Sequence, residues 1–599
     1  TLKTELKKRY FSITILRKRL LALICAVTFI FLFIIGKTFF VTVVDGDKLR
    51  VKAIDQWARE LPIKAIRGRI VDRNGVVLAA DESTYSVFVR TRCVTNPERV
   101  AGVLSKELGC NHDGLLEKIN KKGTSEITVA RQISKEQTDK LKDYSLDGVY
   151  FSPDGKRNYP FNQALCQTLG YTSSDGNGLS GIEKYYNRYL QGTDGKILYE
   201  SDLVGLDMDG KSPSYLPAVN GLDVRLTIDS EIQLICEDEL DKVMAQYTPV
   251  SAKILMLEPG SGKVLAMAQK PSFDLNDVPR DDKEQLMKLG RNGIIADSYE
   301  PGSTFKVITA SANIEETLSG NKNAFSLEHV YNSGRYRIVG GRKIKCWSTH
   351  AGGKHSNQKL SDALNNSCNP IFVDIALSLG KSTFYKYVNA FNFGKTTGID
   401  FQGEALGMVV PERSVTDGDL ARIGFGQTIA VTPLQLAAAV SAAVSGGVYH
   451  KPYLVEEIYS DTQIAVRNYP VQTERVISEQ ASKIIASYLE GVVRDGSGKQ
   501  AYIEGARVGG KTGTAQIYKD GVIAQGKYVM SFIGFFPADE PKYLALVIVE
   551  EPIGGTYGST VAAPVCKNVF QRIINAKSIT EINYEDKTTD RYDKMQYYR

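Results

Sequence analysis

Three short motifs follow one another along the second half of the chain: Ser303-Thr-Phe-Lys306, Ser367-Cys-Asn369 and Lys511-Thr-Gly513. A serine hydroxyl is a poor nucleophile at neutral pH and needs a base beside it. Residues three apart on a helix share a face, so Lys306 can take the Ser303 proton if burial or nearby positive charge keeps it neutral. Pro301-Gly302 fits a turn into such a helix, whose first N–H groups would face developing negative charge. Lys511 adds a cation. Val508-Gly-Gly510 before it and Thr514-Ala515 after Gly513 fit a strand edge where a substrate backbone can approach. Each motif alone is a weak signal. Ser378-Leu-Gly-Lys381 repeats the first by accident, and Ser311-Ala-Asn313 and Ser319-Gly-Asn321 repeat the second. An ordinary helix surface, turn or strand end accounts for any one of them. Their order within one domain is what points to acyl transfer through a serine.

A second set of residues has metal chemistry. Cys346, His350 and His355 fall within ten residues, in a chain with only five histidines. Thiolate and imidazole at such spacing suit Zn²⁺. Asp297 or Cys368 could complete the set. Asp297 is the preferred fourth ligand, because the outer residues of Ser367-Cys-Asn369 should face the cleft and turn the Cys368 side chain away. The competing reading is a buried cysteine with two loop histidines.

These residues must be held in place by the rest of the chain. At 599 residues it needs several domains. Leu20 to Gly36 carries no charge and, after Lys37, Thr38 to Val44 is apolar again. Together they reach the roughly 20 residues that span a bilayer, with Lys37 able to snorkel. Lys7, Lys8, Arg9, Arg17, Lys18 and Arg19 precede the span, which puts the N-terminus in the cytoplasm and the remainder outside. A cleaved signal peptide would want a shorter run and a small-residue site, and Phe39, Phe40, Val41 and Val43 continue past where that site should lie.

The expected organisation is a basic segment (1–19), an anchor (20–44), an extracytoplasmic pedestal (45–220), a catalytic domain (221–577) and a polar tail or linker (578–599), beyond which a further module could follow. Asn74-Gly75 between β-branched residues predicts a hairpin. Helices are predicted over Glu98–Leu108 and Lys135–Leu141, and after Gly181 with Ile182, Tyr185, Tyr186 and Tyr189 on one face. In the catalytic domain, Asp229 is a predicted N-cap. Hairpins are predicted over Ile254–Met267 and Tyr528–Val549, and a helix over Pro433–Ala443. The mixture is α+β, with helices packed on an antiparallel sheet.

A net charge of +6 and 24% charged residues describe a scatter of surface charge, without the concentrated basic face of a nucleic-acid binder. Eight sparse cysteines do not form a disulfide framework.

The three motifs in this order resemble the penicillin-binding protein and serine β-lactamase superfamily. Arg67-Gly-Arg-Ile-Val-Asp-Arg-Asn-Gly75, Gly181-Ile-Glu-Lys184 with Gly192-Thr-Asp-Gly195, Tyr299 to Lys306, Gly424-Phe-Gly-Gln-Thr428 with Thr432-Pro433, and Gly510 to Gln516 narrow the resemblance to class B penicillin-binding proteins, over residues 20 to 575. It implies a dimerisation-type pedestal before a penicillin-binding transpeptidase domain. It further implies that Ser303 is acylated by peptidoglycan stem peptides and by penicillin and other β-lactams, with Lys306 as base, Ser367 as proton relay and Asn369 orienting the substrate amide. Lys511 would supply charge, Thr512, Gly513 and Thr514 would bind the substrate, and the Ser303 and Thr514 N–H groups would form the oxyanion hole. No metal is required for that chemistry, so a zinc ion at Cys346 would be structural. Metal-free relatives have counterparts of Cys346, Trp347 and a histidine near His355. A membrane-bound glycan polymerase is the implied partner, in division, elongation or sporulation. A β-lactam-hydrolysing enzyme, a D,D-carboxypeptidase and a non-catalytic sensor of β-lactams or wall peptides are the alternatives. The long pedestal argues against a lactamase, and the intact Ser303, Lys306 and Lys511 argue against a sensor.

Overall fold

The apolar run folds as a helix, Ile13–Phe39, extended by one wider turn, Phe40–Val44. Its described residues are all exposed, and its mean hydropathy over the best window is 2.6. It is long and apolar enough to cross a membrane once. It begins before the predicted span and carries Arg17, Lys18 and Arg19 on its first turns. The computed structural model describes residues 13–46, 48–49, 58–121, 126–200, 214–332, 334–348, 350, 355–467, 472–519, 522–555 and 557–583. Lys7, Lys8 and Arg9, and the predicted tail beyond residue 583, lie outside the described residues.

In the pedestal a long strand, Val77–Val89, pairs with Ile127–Ile133 on one side and Val149–Asn158 on the other. Helices Pro97–Leu108, His112–Asn120 and Lys135–Asp143 close a small core of Val87, Val89, Leu104, Leu115, Ile133 and Leu141. Local sequence starts each helix. Asn96 and Asn111 accept N–H groups of the first turns, and Ser134 with Gln137 forms a capping box.

The predicted Asn74-Gly75 turn is present, and Asp72 organises it. One Asp72 oxygen accepts from Asn74 N and Val76 N, both at 2.8 Å. The other accepts from Ser230 N and Oγ, at the start of the first helix of the catalytic domain. The predicted helix after Gly181 is broken into Gly181–Tyr185 and Asn187–Leu190. Ile182 and Tyr186 are buried but Tyr185 is exposed. The break serves Glu183, which is fully buried and accepts from Arg67 Nε and Arg157 Nε, each at 2.7 Å.

The catalytic domain is built on a five-stranded antiparallel sheet. In chain order its strands are β1 (Ser251–Glu258), β2 (Lys263–Lys270), β3 (Gly509–Lys519), β4 (Val522–Phe536) and β5 (Tyr543–Glu550), arranged β2-β1-β5-β4-β3. Both predicted hairpins, β1–β2 and β4–β5, are found, and β3, which carries Lys511, is an edge. Helices Ser230–Tyr247 and Gly558–Asn583 pack on one face. Lys306–Leu318, Asn369–Ala390, Pro433–Val444 and Glu479–Arg494 fill the other. Asp229 caps the first of these helices, as predicted. A further sheet joins the two regions: Ile70–Val71 runs parallel to Asp223–Leu226, which pairs with Val455–Tyr459.

Candidate active site

Ser303 sits in a tight turn. Gly302–Phe305 is a 3₁₀ segment, and the α-helix proper starts at Lys306. Thr304 Oγ1 donates to Pro301 O at 2.7 Å and Gly302 N donates to Gly426 O at 2.9 Å. Gly426 has φ +85°, and a Cβ there would lie 2.0 Å from Gly302 O. The Gly424–Thr428 loop is therefore moulded onto the nucleophile turn. Thr428 N donates to Glu300 Oε1 at 2.8 Å, and burial raises the Glu300 carboxyl above its usual range. Gly513 closes the other side: a Cβ on it would sit 2.3 Å from Ser531 Oγ and 3.0 Å from Thr304 Cγ2. Only glycine lets β3 lie this close to the Ser303 turn.

Lys306 is fully buried, and its ammonium contacts three oxygens: Ser367 O at 2.8 Å, Ser367 Oγ at 3.1 Å and Asn369 Oδ1 at 2.6 Å. Lys511, also fully buried, donates to the same Ser367 Oγ at 3.0 Å. Ser367 can serve both because it has φ 52°, a left-handed conformation rare for a non-glycine residue. Burial lowers the Lys306 pKa to about 8, opposed by negative charge on Cys346 and Cys368. Burial, and then the charge of Lys306, push Lys511 well below the ordinary lysine value. Thr512 Oγ1 lies within 3.4 Å of Lys511 Nζ and of Ser497 Oγ, and Thr514 Oγ1 accepts from Gly558 N at 3.1 Å. Lys306, Ser367, Asn369 and Lys511 meet through these bonds, and the Ser303 turn packs against β3 beside them. Glu300 and Ser497 are additions. Glu300 lies inside the Tyr299 to Lys306 stretch, where the sequence assigns it no role, and nothing in the sequence marks Ser497, which is tied by its N–H to Asn365 O.

Cys346, His350, His355 and Cys368 come together behind the Ser367 turn, their ligand atoms all within 4.8 Å of one another. Cys346 Sγ is 3.9 Å from His355 Nδ1, and Cys368 Sγ is 3.8 Å from His350 Nε2. Contact with the Cys368 thiol, then with His350, holds Cys346 well below the usual thiol range. The preference for Asp297 as fourth member is corrected. Asp297 pairs with Arg291 at 2.7 Å and faces Lys253 at 3.5 Å, while Cys368 completes the group. Cys368 is fully buried, with its Sγ against His350 Nε2.

The described chain matches two known families: the penicillin binding protein transpeptidase domain over residues 252–571 and the penicillin-binding protein dimerisation domain over residues 62–226. It is 40% identical over 560 residues to stage V sporulation protein D of Bacillus subtilis, covering 93% of this chain and 85% of that one. It is 27% identical over 568 residues to the peptidoglycan D,D-transpeptidase FtsI of Escherichia coli, covering 93% and 92%. Among solved structures, penicillin binding protein 2X of Streptococcus thermophilus superposes with a TM-score of 0.72 at 23% identity, over 89% of this chain and 83% of that one. Penicillin binding protein 3 of Mycobacterium tuberculosis, complexed with aztreonam, does so at 0.66 and 22% over 87% and 98%, and shares the fold. With a dimerisation domain, a transpeptidase domain and a full-length relative at this identity, the chain belongs to the class B penicillin-binding proteins.

Proposed function

We propose that this chain is a serine-type peptidoglycan D,D-transpeptidase that cross-links stem peptides outside the membrane and is acylated by β-lactams. The observation that carries the reading is the convergence of Lys306 and Lys511 on the Ser367 hydroxyl, with Asn369 Oδ1 accepting from Lys306, beside the Ser303 turn. Neutral Lys306 takes the Ser303 proton as Oγ attacks the penultimate D-Ala carbonyl. The Ser303 and Thr514 N–H groups receive the developing oxyanion, each donor contributing ~2.7–4 kcal/mol in serine enzymes of this kind. The C–N bond breaks, and the leaving D-Ala amine takes a proton through Ser367 Oγ, which the two lysines share. An amine of a neighbouring strand then attacks the ester and gives its proton to Lys306, which passes it to Ser303 Oγ as the ester C–O bond breaks, restoring the hydroxyl and the neutral base. Burial and the neighbouring Lys306 charge disfavour the protonated form of Lys511, and a substrate carboxylate bound between Thr512 and Thr514 would favour it.

Cys346, His350, His355 and Cys368 are proposed to hold one structural Zn²⁺. A tetrahedral ion with these donors needs roughly 3.3–3.8 Å between ligand atoms, close to the spacing present. All four protein positions would be filled, so the metal would offer no water to substrate. The proposed membrane orientation is N-terminus inside, supported by Arg17, Lys18 and Arg19 at the start of the anchor helix. A membrane glycan polymerase is the proposed partner of the anchor and pedestal. The proposed boundaries are those stated from the sequence: anchor 20–44, pedestal 45–220 and catalytic domain 221–577.

The test is a product assay with a stem-peptide donor and an amine acceptor. Cross-linked peptide from the wild type and none from Ser303→Ala is the expected result. Hydrolysed donor without cross-link would make the protein a carboxypeptidase.

A further inference from the structure

The two-stranded hairpin Tyr336–Val339 and Arg342–Lys345 leads directly into the active site, and its charge is one-sided. From Arg335 to Lys345 the chain has five basic residues and no acidic one. The register, Tyr336 opposite Lys345 and Ile338 opposite Lys343, sorts side chains onto two faces. One face holds Arg337, Val339, Arg342 and Ile344. Its middle packs inward, while Arg342 is exposed: Arg337 forms a two-pronged pair with Asp374 of the Asn369–Ala390 helix at 2.8 and 2.6 Å, and Ile344 is buried. The Asp419 carboxyl, on a neighbouring helix, feels the Arg342 charge.

The other face holds Tyr336, Ile338, Lys343 and Lys345, all exposed, with Ile338 67% exposed. Lys343 Nζ sits 3.7 Å from the centre of the Tyr336 ring. Among the described residues no carboxylate pairs with Arg335, Lys343 or Lys345. The face also has a direction. Asn369 Nδ2 donates to Lys345 O at 3.3 Å, and Asn369 Oδ1 accepts from the Lys306 base. Beyond Lys345, the exposed Trp347 ring lies 6.2 Å from the exposed Tyr557 ring, and Gly558 next to it binds Thr514 Oγ1. Exposed ammonium groups and rings thus run from the hairpin tip to the substrate-binding strand.

We propose that this face docks an acidic peptide segment of the wall substrate, with Lys343 and Lys345 meeting its carboxylates and Tyr336, Ile338 and Trp347 its apolar stems. The inference rests on the transpeptidase reading and adds a specificity surface to it. Charge complementarity selects the occupant: the Lys343 and Lys345 ammonium groups, which among the described residues pair with no carboxylate, on a surface that ends at the residues orienting the reacting amide. A membrane is the other anionic surface that could meet such a face, and the test separates the two.

The experiment compares two acceptor peptides in the cross-linking assay with the full chain, one with free side-chain carboxylates and one with the same groups amidated. Wild type should show a KM for the acidic peptide roughly fivefold below that for the amidated one, as expected for a few solvent-exposed pairs. The gap should close at high salt and in the pair Lys343→Glu and Lys345→Glu, with kcat for the amidated peptide retained, and Lys343→Arg should keep it. Equal KM values for both peptides in the wild type would overturn the docking surface while leaving the transpeptidase reading intact. No cross-link from either peptide would count against the transpeptidase reading itself. Weaker binding of the charge-reversed pair to anionic phospholipid vesicles, with peptide KM unmoved, would assign the face to the membrane and overturn the proposal.

Discussion

Lys306 is the residue on which the proposed chemistry turns. It is fully buried, its pKa is lowered to about 8 chiefly by that burial, and it faces Ser367 and Asn369. Only its neutral form can accept a proton. The rate of β-lactam acylation should therefore climb with pH while Lys306 is charged and level off once the pH passes about 8. A flat profile across that range would remove Lys306 from the role. Lys306→Ala should slow acylation by about 10²–10⁴-fold, the usual contribution of a positioned base, measured by stopped-flow or gel-based labelling. The motifs announced this residue because i, i+3 spacing on a helix is a local rule. The sequence could not announce that two lysines share one hydroxyl, since that depends on the left-handed backbone of Ser367 and on β3 crossing beside it. Glu300 and Ser497 escaped for the same reason: their partners are a loop more than a hundred residues away and a threonine on another element.

At the scale of elements, turn, cap and periodicity signals made the catalytic hairpins and the helices over Pro97–Leu108, Lys135–Asp143, Ser230–Tyr247 and Pro433–Val444 legible. Asp229, Ser134 and Asn96 cap where their side chains allow, and β1–β2 and β4–β5 follow from short continuous apolar runs, the first pair separated by the Pro259–Gly262 turn. The broken helix after Gly181 was not legible, because a buried carboxylate with two guanidinium partners overrides the local periodicity. The fourth member of the Cys346 cluster was misassigned for a geometric reason: the argument fixed which way Cys368 points but not where the loop bearing His350 and His355 lies. That loop is the element the proposed zinc would clip to the start of the Asn369 helix. Protein purified without a metal-affinity tag should carry about one zinc per chain. Chelation should lower the melting temperature, as expected for metal bound only by the folded form. Cys368→Ser should lose the metal and Asp297→Asn should keep it. A zinc-free protein whose melting ignores chelator would make the cluster an ordinary buried loop.

For the whole molecule, the pedestal and the catalytic domain are tied through specific joints. Asp72 reaches Ser230, Tyr186 donates to Asp400 at 2.8 Å, and Ile70–Val71 enters a sheet with the catalytic domain's own strands. The α+β class, the apolar span and the cleft were readable from composition and pattern. The shared sheet was not, because pairing of residue 70 with residue 224 leaves no local trace. The central claim is that this assembly presents Ser303 as its acylated nucleophile. Full-length protein in membranes, incubated with benzylpenicillin and analysed by intact-mass and peptide mass spectrometry, tests it most directly. The account predicts one long-lived adduct, mapped to the peptide containing Ser303 and absent from Ser303→Ala. An adduct that persists in Ser303→Ala, or maps to another residue, would contradict it.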